Sequence, residues 1–188
     1  MMGYIQLYNS QLNASQPIEG FCPTFGSIKC NDDNQLFLLS FIDKKANNPN
    51  YELMITDLEP NKRVNVKSDI QDLAENDYPV LMNFVENFGL IFLATNSGTL
   101  YIYEVTKGVF IFRCKISEET PLLSTKNTAT GGLIYISRSG KVFNVDVEKN
   151  NFIPFMMNLN IPNIKELCTL MVEGYGLPWE GNIFIGLF

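Results

Sequence analysis

The chain has 188 residues, of which 46% are hydrophobic and 18% are charged, and this is the balance of a folded globular domain. Its formal net charge of −6 argues against nucleic-acid binding, because that affinity rests largely on Lys and Arg side chains that neutralise phosphates. The sequence contains no histidine, which removes nucleophilic systems with a histidine base and most zinc sites. We therefore expect a protein that is not an enzyme and needs no metal or cofactor.

Cysteine usage and hydropathy bear on the cellular compartment. The four cysteines stand far apart without a Cys-x-x-Cys pair, which favours reduced and mostly buried thiols over a disulfide framework. No stretch approaches the ~20 apolar residues of a membrane-spanning helix, and residues 1–6 do not resemble a signal peptide. The sequence predicts a cytoplasmic protein that does not insert into membranes.

A strand pattern led by a turn residue repeats along the chain. Residues 3–8 (GYIQLY), 50–55 (NYELMI), 98–103 (GTLYIY) and 140–145 (GKVFNV) are its four copies. The last two copies are 42 residues apart, and a fixed period of about 40–50 residues is typical of β-propeller blades. Since Val, Ile, Phe and Tyr are also frequent, we predict an all-β fold with a short α-helical tail.

Turn residues and alternating apolar residues place the strands of three four-stranded antiparallel blades, preceded by the last two strands of an earlier blade. The two leading strands are predicted at residues 3–8 and 14–19. The first blade is predicted from residues 24–29, 35–42, 51–57 and 63–67, with a turn at 46–50. The second uses residues 80–85, 90–94, 99–105 and 109–116, and the third uses residues 122–126, 132–136, 141–147 and 151–155.

The pattern changes to helical after Pro154. Asn163 and Glu166 have the spacing of a capping box, and apolar residues at helical spacing follow until Gly174. Leu177 and Pro178 resemble the start of a second helix. We therefore divide the chain into a partial propeller at residues 1–157 and the start of a helical linker at residues 158–188.

Two adjacent acidic pairs, at residues 32–33 and 118–119, are the nearest approach to a carboxylate dyad. Neighbouring residues on a strand point to opposite faces, so neither pair is arranged for acid–base chemistry. The sequence favours exposed loop positions for both.

Residues 15–20 (SQPIEG) and 76–80 (NDYPV) are the most distinctive segments of the sequence. Gln6-Leu7-Tyr8 precedes the first of them, at the spacing found in the family named next. In these segments and in the residues that follow the second of them, the chain resembles the clathrin heavy-chain family. That family carries an N-terminal seven-bladed propeller followed by a helical linker. The resemblance implies the second half of such a propeller, with the first three blades and part of the fourth preceding it.

The resemblance also implies a function. In this family the propeller is a structural part of the vesicle coat and binds adaptor proteins through short linear motifs in grooves between blades. The groove between the fourth and fifth blades maps onto Leu7, Gln16 and Ile18, with Lys62 or Arg63 as the basic residue on the opposite blade. Clathrin light chains and other heavy chains are the further partners that the resemblance implies for a full-length protein.

One alternative remains open at this stage, a propeller scaffold from another vesicle-coat or protein-interaction complex. Helical repeats after Phe188 would favour the clathrin family, whose leg is built from them.

Half of a propeller leaves strand edges open, and open edges pair readily with another chain. We therefore predict that the isolated 188-residue chain dimerises or is unstable. Light scattering across a dilution series tests this expectation. A stable monomer at every concentration would contradict it.

Overall fold

A computed structural model describes residues 3–10, 13–29, 35–44, 50–58 and 64–179. The strands are β1 Tyr4–Asn9, β2 Ala14–Glu19, β3 Phe21–Lys29, β4 Gln35–Asp43, β5 Glu52–Asp57, β6 Asn65–Asp69, β7 Pro79–Val85, β8 Leu90–Thr95, β9 Thr99–Glu104, β10 Phe110–Lys115, β11 Pro121–Lys126, β12 Leu133–Ser137 and β13 Val142–Val145. A short 3₁₀ helix spans Glu86–Phe88, and the helices are α1 Lys149–Met157 and α2 Ile164–Tyr175.

The strands form four antiparallel sheets in which each strand pairs with its neighbour in sequence. Strands β1 and β2 form a two-stranded sheet; β3–β6 form the first blade, β7–β10 the second and β11–β13 the third. Alternation of apolar and polar residues sets the register of strands with alternating burial, such as β5, because a slip of one residue would turn their core side chains to solvent. The predicted pair of leading strands and the first two four-stranded blades are confirmed. The predicted turn at 46–50 lies almost entirely outside the described residues.

The blades pack around a common side formed by their first strands. Strand β7 contacts both β3 and β11, while β3 is the edge strand of its own sheet. Gly26 of β3 lies directly against the Phe84 ring of β7, where a Cβ atom would collide with that ring. The absence of a side chain at Gly26 therefore lets the first two blades approach closely.

Two apolar clusters fill the space between the blades. One joins the first and second blades and includes the fully buried Leu38, Leu53 and Ile91. The other joins the second and third blades to both helices and includes Phe92 and Met156. Burial of a side chain of this size contributes roughly 1.5–3 kcal/mol, so these clusters hold the sheets together.

The predicted fourth strand of the third blade, residues 151–155, is wrong. These residues belong to α1, which turns Phe152, Ile153 and Met156 into the core. Their spacing suits one face of a helix, whereas a strand would place Phe152 and Ile153 on opposite faces. The third blade therefore contains three strands within the described part of the chain. The predicted division at residue 157 falls at the end of this helix and stays a prediction.

The predicted helix after Asn163 is confirmed, but the predicted capping box is wrong. Asn163 has left-handed backbone angles (φ 57°, ψ 29°), and its side chain makes no capping hydrogen bond. An N-cap side chain accepts a backbone N–H when its own backbone is extended, which this conformation prevents. The helix also continues through Gly174 to Tyr175 and ends at Gly176 (φ 59°). Residues 177–179 are not helical, so the predicted second helix does not start there.

A carboxylate before the first strand of the second blade fastens that blade's central hairpin. Asp77 is buried and accepts hydrogen bonds from the Ser97 backbone N–H at 2.8 Å and the Ser97 hydroxyl at 2.6 Å. It also accepts from the backbone N–H of Tyr78 at 3.0 Å. Ser97 lies in the turn between β8 and β9, where Gly98 has φ 80°. We call this arrangement the carboxylate clasp of the second blade.

The third blade repeats the clasp 42 residues later. Glu119 accepts hydrogen bonds from the Ser137 hydroxyl at 3.0 Å, the Ser139 backbone N–H at 3.1 Å and Lys141 Nζ at 3.1 Å. Gly140, with φ 84°, occupies the turn position of Gly98. The loop position predicted for the 118–119 pair is confirmed, since both residues lie between β10 and β11. The Glu119 side chain, however, is only 31% exposed and closes the blade.

We predict that Asp77→Ala lowers the free energy of unfolding by about 1–3 kcal/mol, because it leaves the Ser97 N–H and hydroxyl without their charged acceptor. Urea denaturation followed by circular dichroism measures this change. Glu75→Ala is the control, since Glu75 is an exposed carboxylate in the same connecting segment. Equal loss of stability in both variants would contradict the clasp.

A second prediction concerns the pH dependence of stability. Hydrogen bonds from Ser139 and Lys141 lower the pKa of Glu119 from 4.5 to about 2. A carboxylate with a lowered pKa stabilises the fold above its unfolded pKa and loses that contribution as the pH falls through the folded value. Glu119→Gln should therefore show a smaller fall in melting temperature than the unsubstituted chain between about pH 5 and about pH 2.5.

The matched control for that experiment is Glu118→Gln. Glu118 is the neighbouring carboxylate, and among the described residues its 88% exposed side chain pairs only with Lys115, at 3.2 Å. Its substitution should leave the acid-dependent fall in melting temperature nearly unchanged. If Glu118→Gln and Glu119→Gln flatten the pH profile equally, the clasp has no special contribution.

Candidate functional site

The sequence-predicted groove residues of the two-stranded sheet lie together on one of its faces. Leu7 is directly opposite Gln16, and Ile18 is directly opposite Ile5. Directly opposed residues share a face, as do residues two apart on one strand. Leu7, Gln16 and Ile18 therefore form one surface, to which the structure adds Ile5. We call these four residues the groove face.

Burial distinguishes the groove face from the opposite face of the same sheet. Ile5, Leu7 and Ile18 are each half-buried, whereas the tyrosines of the opposite face, Tyr4 and Tyr8, are 70% and 63% exposed. The apolar side chains of the groove face are thus partly covered, whereas the tyrosines of the opposite face are open to solvent. The alternating pattern of β1 would have identified Ile5, because it lies two residues before Leu7.

Gln16 supplies the polar group of the groove face. Its side chain is exposed, and within the described part of the chain its amide has no hydrogen-bond partner. By contrast, Gln6 on the opposite face donates to the Ser15 hydroxyl at 2.9 Å. An unengaged amide offers both a donor and an acceptor to an incoming backbone.

The two-stranded sheet meets the first blade at a glycine. Gly20 is buried, and its N–H donates to the Gly3 carbonyl at 3.0 Å. A Cβ atom on Gly20 would lie 2.5 Å from the Phe41 ring and 3.0 Å from the Ile42 carbonyl oxygen. This close approach places the connection between β2 and β3 against β4.

The basic residues predicted for the opposite wall cannot be placed. Lys62 and Arg63 both lie outside the described residues, which resume at Val64 before β6. Their assignment to the groove stays a prediction. The hydrophobic wall and Gln16 are the part of the predicted site that the structure brings together.

The connection between the first and second blades is rich in carboxylates, but two of them have structural partners. Asp77 forms the clasp with Ser97, and Asp72 lies 3.6 Å from the Arg113 guanidinium. The Asp72 carbonyl accepts from Arg113 at 3.0 Å and from the Tyr101 hydroxyl at 3.3 Å. This segment is therefore fastened to the second blade.

The most deeply buried acidic group also serves a turn. Glu104 is 1% exposed and accepts hydrogen bonds from the Thr106 hydroxyl at 2.6 Å and the Lys107 backbone N–H at 2.8 Å. Burial raises the pKa of Glu104, while the hydrogen bonds from Thr106 and Lys107 oppose that rise. Its lone pairs are used to close the turn after β9, which leaves it unsuited to acid–base work.

The described cysteines have the properties of core residues. Burial raises the pKa of both Cys22 and Cys168 to about 11, and it also raises the pKa of Cys114. All three are free thiols. A thiol with a raised pKa is a poor nucleophile at neutral pH, because the thiolate is the reactive form.

The part of the chain that the structure describes holds no group of three or more His, Cys, Asp or Glu residues that could bind a metal ion. Neither α1 nor α2 has the length and apolar character required to cross a bilayer.

Comparison with known proteins gives a consistent set of relatives. No protein-family model matches the chain. It is 30% identical over 195 residues to probable clathrin heavy chain 1 of Caenorhabditis elegans. The aligned region covers 100% of this chain and 11% of the relative. It is 27% identical over 192 residues to clathrin heavy chain of Drosophila melanogaster, covering 99% of this chain and 11% of the relative. Clathrin heavy chain 2 of Homo sapiens is 29% identical over 166 residues, covering 85% of this chain and 10% of that protein.

Solved structures support the fold independently of sequence. The chain matches a structure described as COPII on membranes, outer coat vertex, with a TM-score of 0.50 and 14% identity over 69% of this chain and 35% of the other. At that identity the match shows the fold alone, which is a partial β-propeller. The chain spans about a tenth of the length of its curated relatives, and it is homologous to clathrin heavy chains along its whole length.

Proposed function

We propose that the chain is a structural, non-enzymatic part of a clathrin-type vesicle coat on the cytoplasmic face of coated pits and vesicles. In this proposal its propeller blades bind adaptor and accessory proteins through short linear motifs. Other heavy chains and light chains are its assembly partners in the full-length protein. Homology to clathrin heavy chains along the whole chain supports the coat role.

The groove face is the observation on which the peptide-binding proposal depends. Leu7 and Ile18 offer half-buried apolar surface that an apolar peptide side chain can cover. Gln16, between them on the same face, offers an unengaged amide to the peptide backbone. Extended peptides are recognised by this combination, in which backbone hydrogen bonds give affinity and side-chain contacts give specificity.

Lys62 and Arg63 have the further role, in this proposal, of attracting carboxylates of the peptide. The assignment of these two residues to the groove comes from the family resemblance. A basic pair at this place would favour acidic-hydrophobic motifs of the arrestin-box type. The chain carries a net charge of −6, so a local pair of cations is needed to attract an acidic peptide to this surface.

The proposal predicts that Gln16→Ala weakens binding of a fluorescein-labelled arrestin-type peptide by about three- to tenfold, which corresponds to the loss of one hydrogen bond. The double variant Gln16→Ala/Ile18→Ala should weaken binding further, because it also removes apolar contact area. Fluorescence anisotropy with the 188-residue chain measures both dissociation constants.

Gln6→Ala is the matched control, since it removes the same type of side chain from the opposite face of the same two-stranded sheet. Its dissociation constant should stay within about twofold of that of the unsubstituted chain. Circular dichroism confirms that the variants remain folded. Identical affinities for the Gln16→Ala/Ile18→Ala variant and the Gln6→Ala control would exclude the groove face as the peptide site.

A further inference from the structure

The hairpin turn of the third blade is more open than the matching turn of the second blade. Residues 138–142, which cover this turn and the start of β13, are all exposed. A Cβ atom added at Gly140 would meet no described atom within 4 Å, whereas one at Gly98 would lie 2.2 Å from the Ser117 carbonyl oxygen. The second-blade turn is therefore packed against the segment between β10 and β11, and the third-blade turn is accessible from solvent.

Ser139 carries the exposed hydroxyl of this open turn, and it lies beside an ionised carboxylate. Its Oγ is 3.2 Å from Ser137 Oγ, which donates to Glu119 at 3.0 Å. The Ser139 backbone N–H donates to the same carboxylate at 3.1 Å. Hydrogen bonds from Ser139 and Lys141 lower the pKa of Glu119 to about 2, so this group is negatively charged at neutral pH.

Two exposed basic residues flank Ser139. Arg138 and Lys141 occupy the positions that the neutral Asn96 and Thr99 occupy in the second blade, 42 residues earlier. Within the described ranges the Arg138 guanidinium has no hydrogen-bond or ion-pair partner. Basic residues beside a serine are the feature by which one large class of serine/threonine protein kinases selects its substrates. An exposed serine in this setting is suited to such a kinase.

We propose that Ser139 is a phosphorylation site and that its phosphate opens the carboxylate clasp of the third blade. The γ-phosphoryl group of ATP is transferred to Ser139 Oγ, ADP leaves, and the hydroxyl proton passes to the catalytic base of the kinase. Phosphoserine carries a charge of about −1.5 to −2 at pH 7, and beside a carboxylate it disrupts structure by repulsion. Lys141 Nζ, 3.1 Å from Glu119, then pairs with the phosphate instead.

Opening this clasp loosens one hairpin of the third blade. Glu119 precedes β11 and fastens the turn between β12 and β13, so its release frees that turn from the rest of the sheet. Strand β13 also places Phe143 and Val145 against the apolar cluster that joins the second and third blades to both helices. Phosphorylation is therefore a switch for the order of the β12–β13 hairpin. It is independent of the groove face, which lies on β1 and β2.

The first experiment locates the modification. The 188-residue chain is incubated with ATP and the catalytic fragment of protein kinase C, a kinase that selects serines near basic residues. Phosphopeptide mass spectrometry should find phosphate on Ser139, while Ser97 of the packed second-blade turn should stay unmodified. Absence of phosphate on Ser139, or equal phosphorylation of both serines, would overturn the assignment of the site.

The second experiment measures the consequence by hydrogen exchange of the phosphorylated and unphosphorylated chain. Phosphorylation should accelerate amide exchange in residues 137–145 by about tenfold. Ser139→Ala, treated with the kinase in parallel, accounts for phosphate on other residues. In Glu119→Gln the phosphate should not accelerate exchange, because no carboxylate remains to repel it. Glu118→Gln is the matched control and should keep the full acceleration.

Two results would refute opening of the clasp. They are unchanged exchange in the phosphorylated chain and equal acceleration in the presence and absence of the Glu119 carboxylate. Circular dichroism verifies that each variant is folded before treatment. Binding of the arrestin-type peptide should be the same before and after phosphorylation, which separates failure of this proposal from failure of the groove face.

Discussion

The packing of the first strands of successive blades is the constraint on which the rest of the structure depends. Strand β7 lies between β3 and β11, and the Gly26–Phe84 approach brings the first two sheets close together. The central strands β4 and β8 bury side chains on both faces, so a single blade could not bury its own core. Stacking the blades creates the two apolar clusters.

Much of this fold could be predicted from the sequence, because the blades repeat the same strand and turn structure. The 42-residue spacing that relates Gly98 to Gly140 also relates Asp77 to Glu119, so the turn and its clasp are conserved between the two blades. The turn glycine could be identified from the sequence, because a left-handed backbone favours that residue. The clasp could not be identified from the sequence, because Asp and Glu differ in length and the partner serine lies 20 residues away from the carboxylate.

Where the sequence-based prediction of a helix or strand was wrong, tertiary packing determined the structure of the segment. Residues 151–155 combine a β-like apolar run with a proline, and only the core beneath α1 selects the helix. The candidate site shows a similar limit. The family resemblance named Leu7, Gln16 and Ile18, and the pairing of β1 with β2 puts them on one face. The partner on the opposite blade depends on how two sheets pack, which no local pattern encodes.

The distribution of engaged and unengaged polar groups bears on which ligand the groove face would favour in a chain of net charge −6. Several carboxylates accept hydrogen bonds within the fold, as Asp77, Glu104 and Glu119 do from turns of the second and third blades. Among the described residues the amide of Gln16 remains unengaged beside the apolar side chains of Leu7 and Ile18. A ligand that supplies acceptors and apolar side chains gains contacts at little desolvation cost to the protein, because no internal hydrogen bond has to break. A basic ligand directed at the clasps would have to break their hydrogen bonds, and the stability of the blades opposes that exchange.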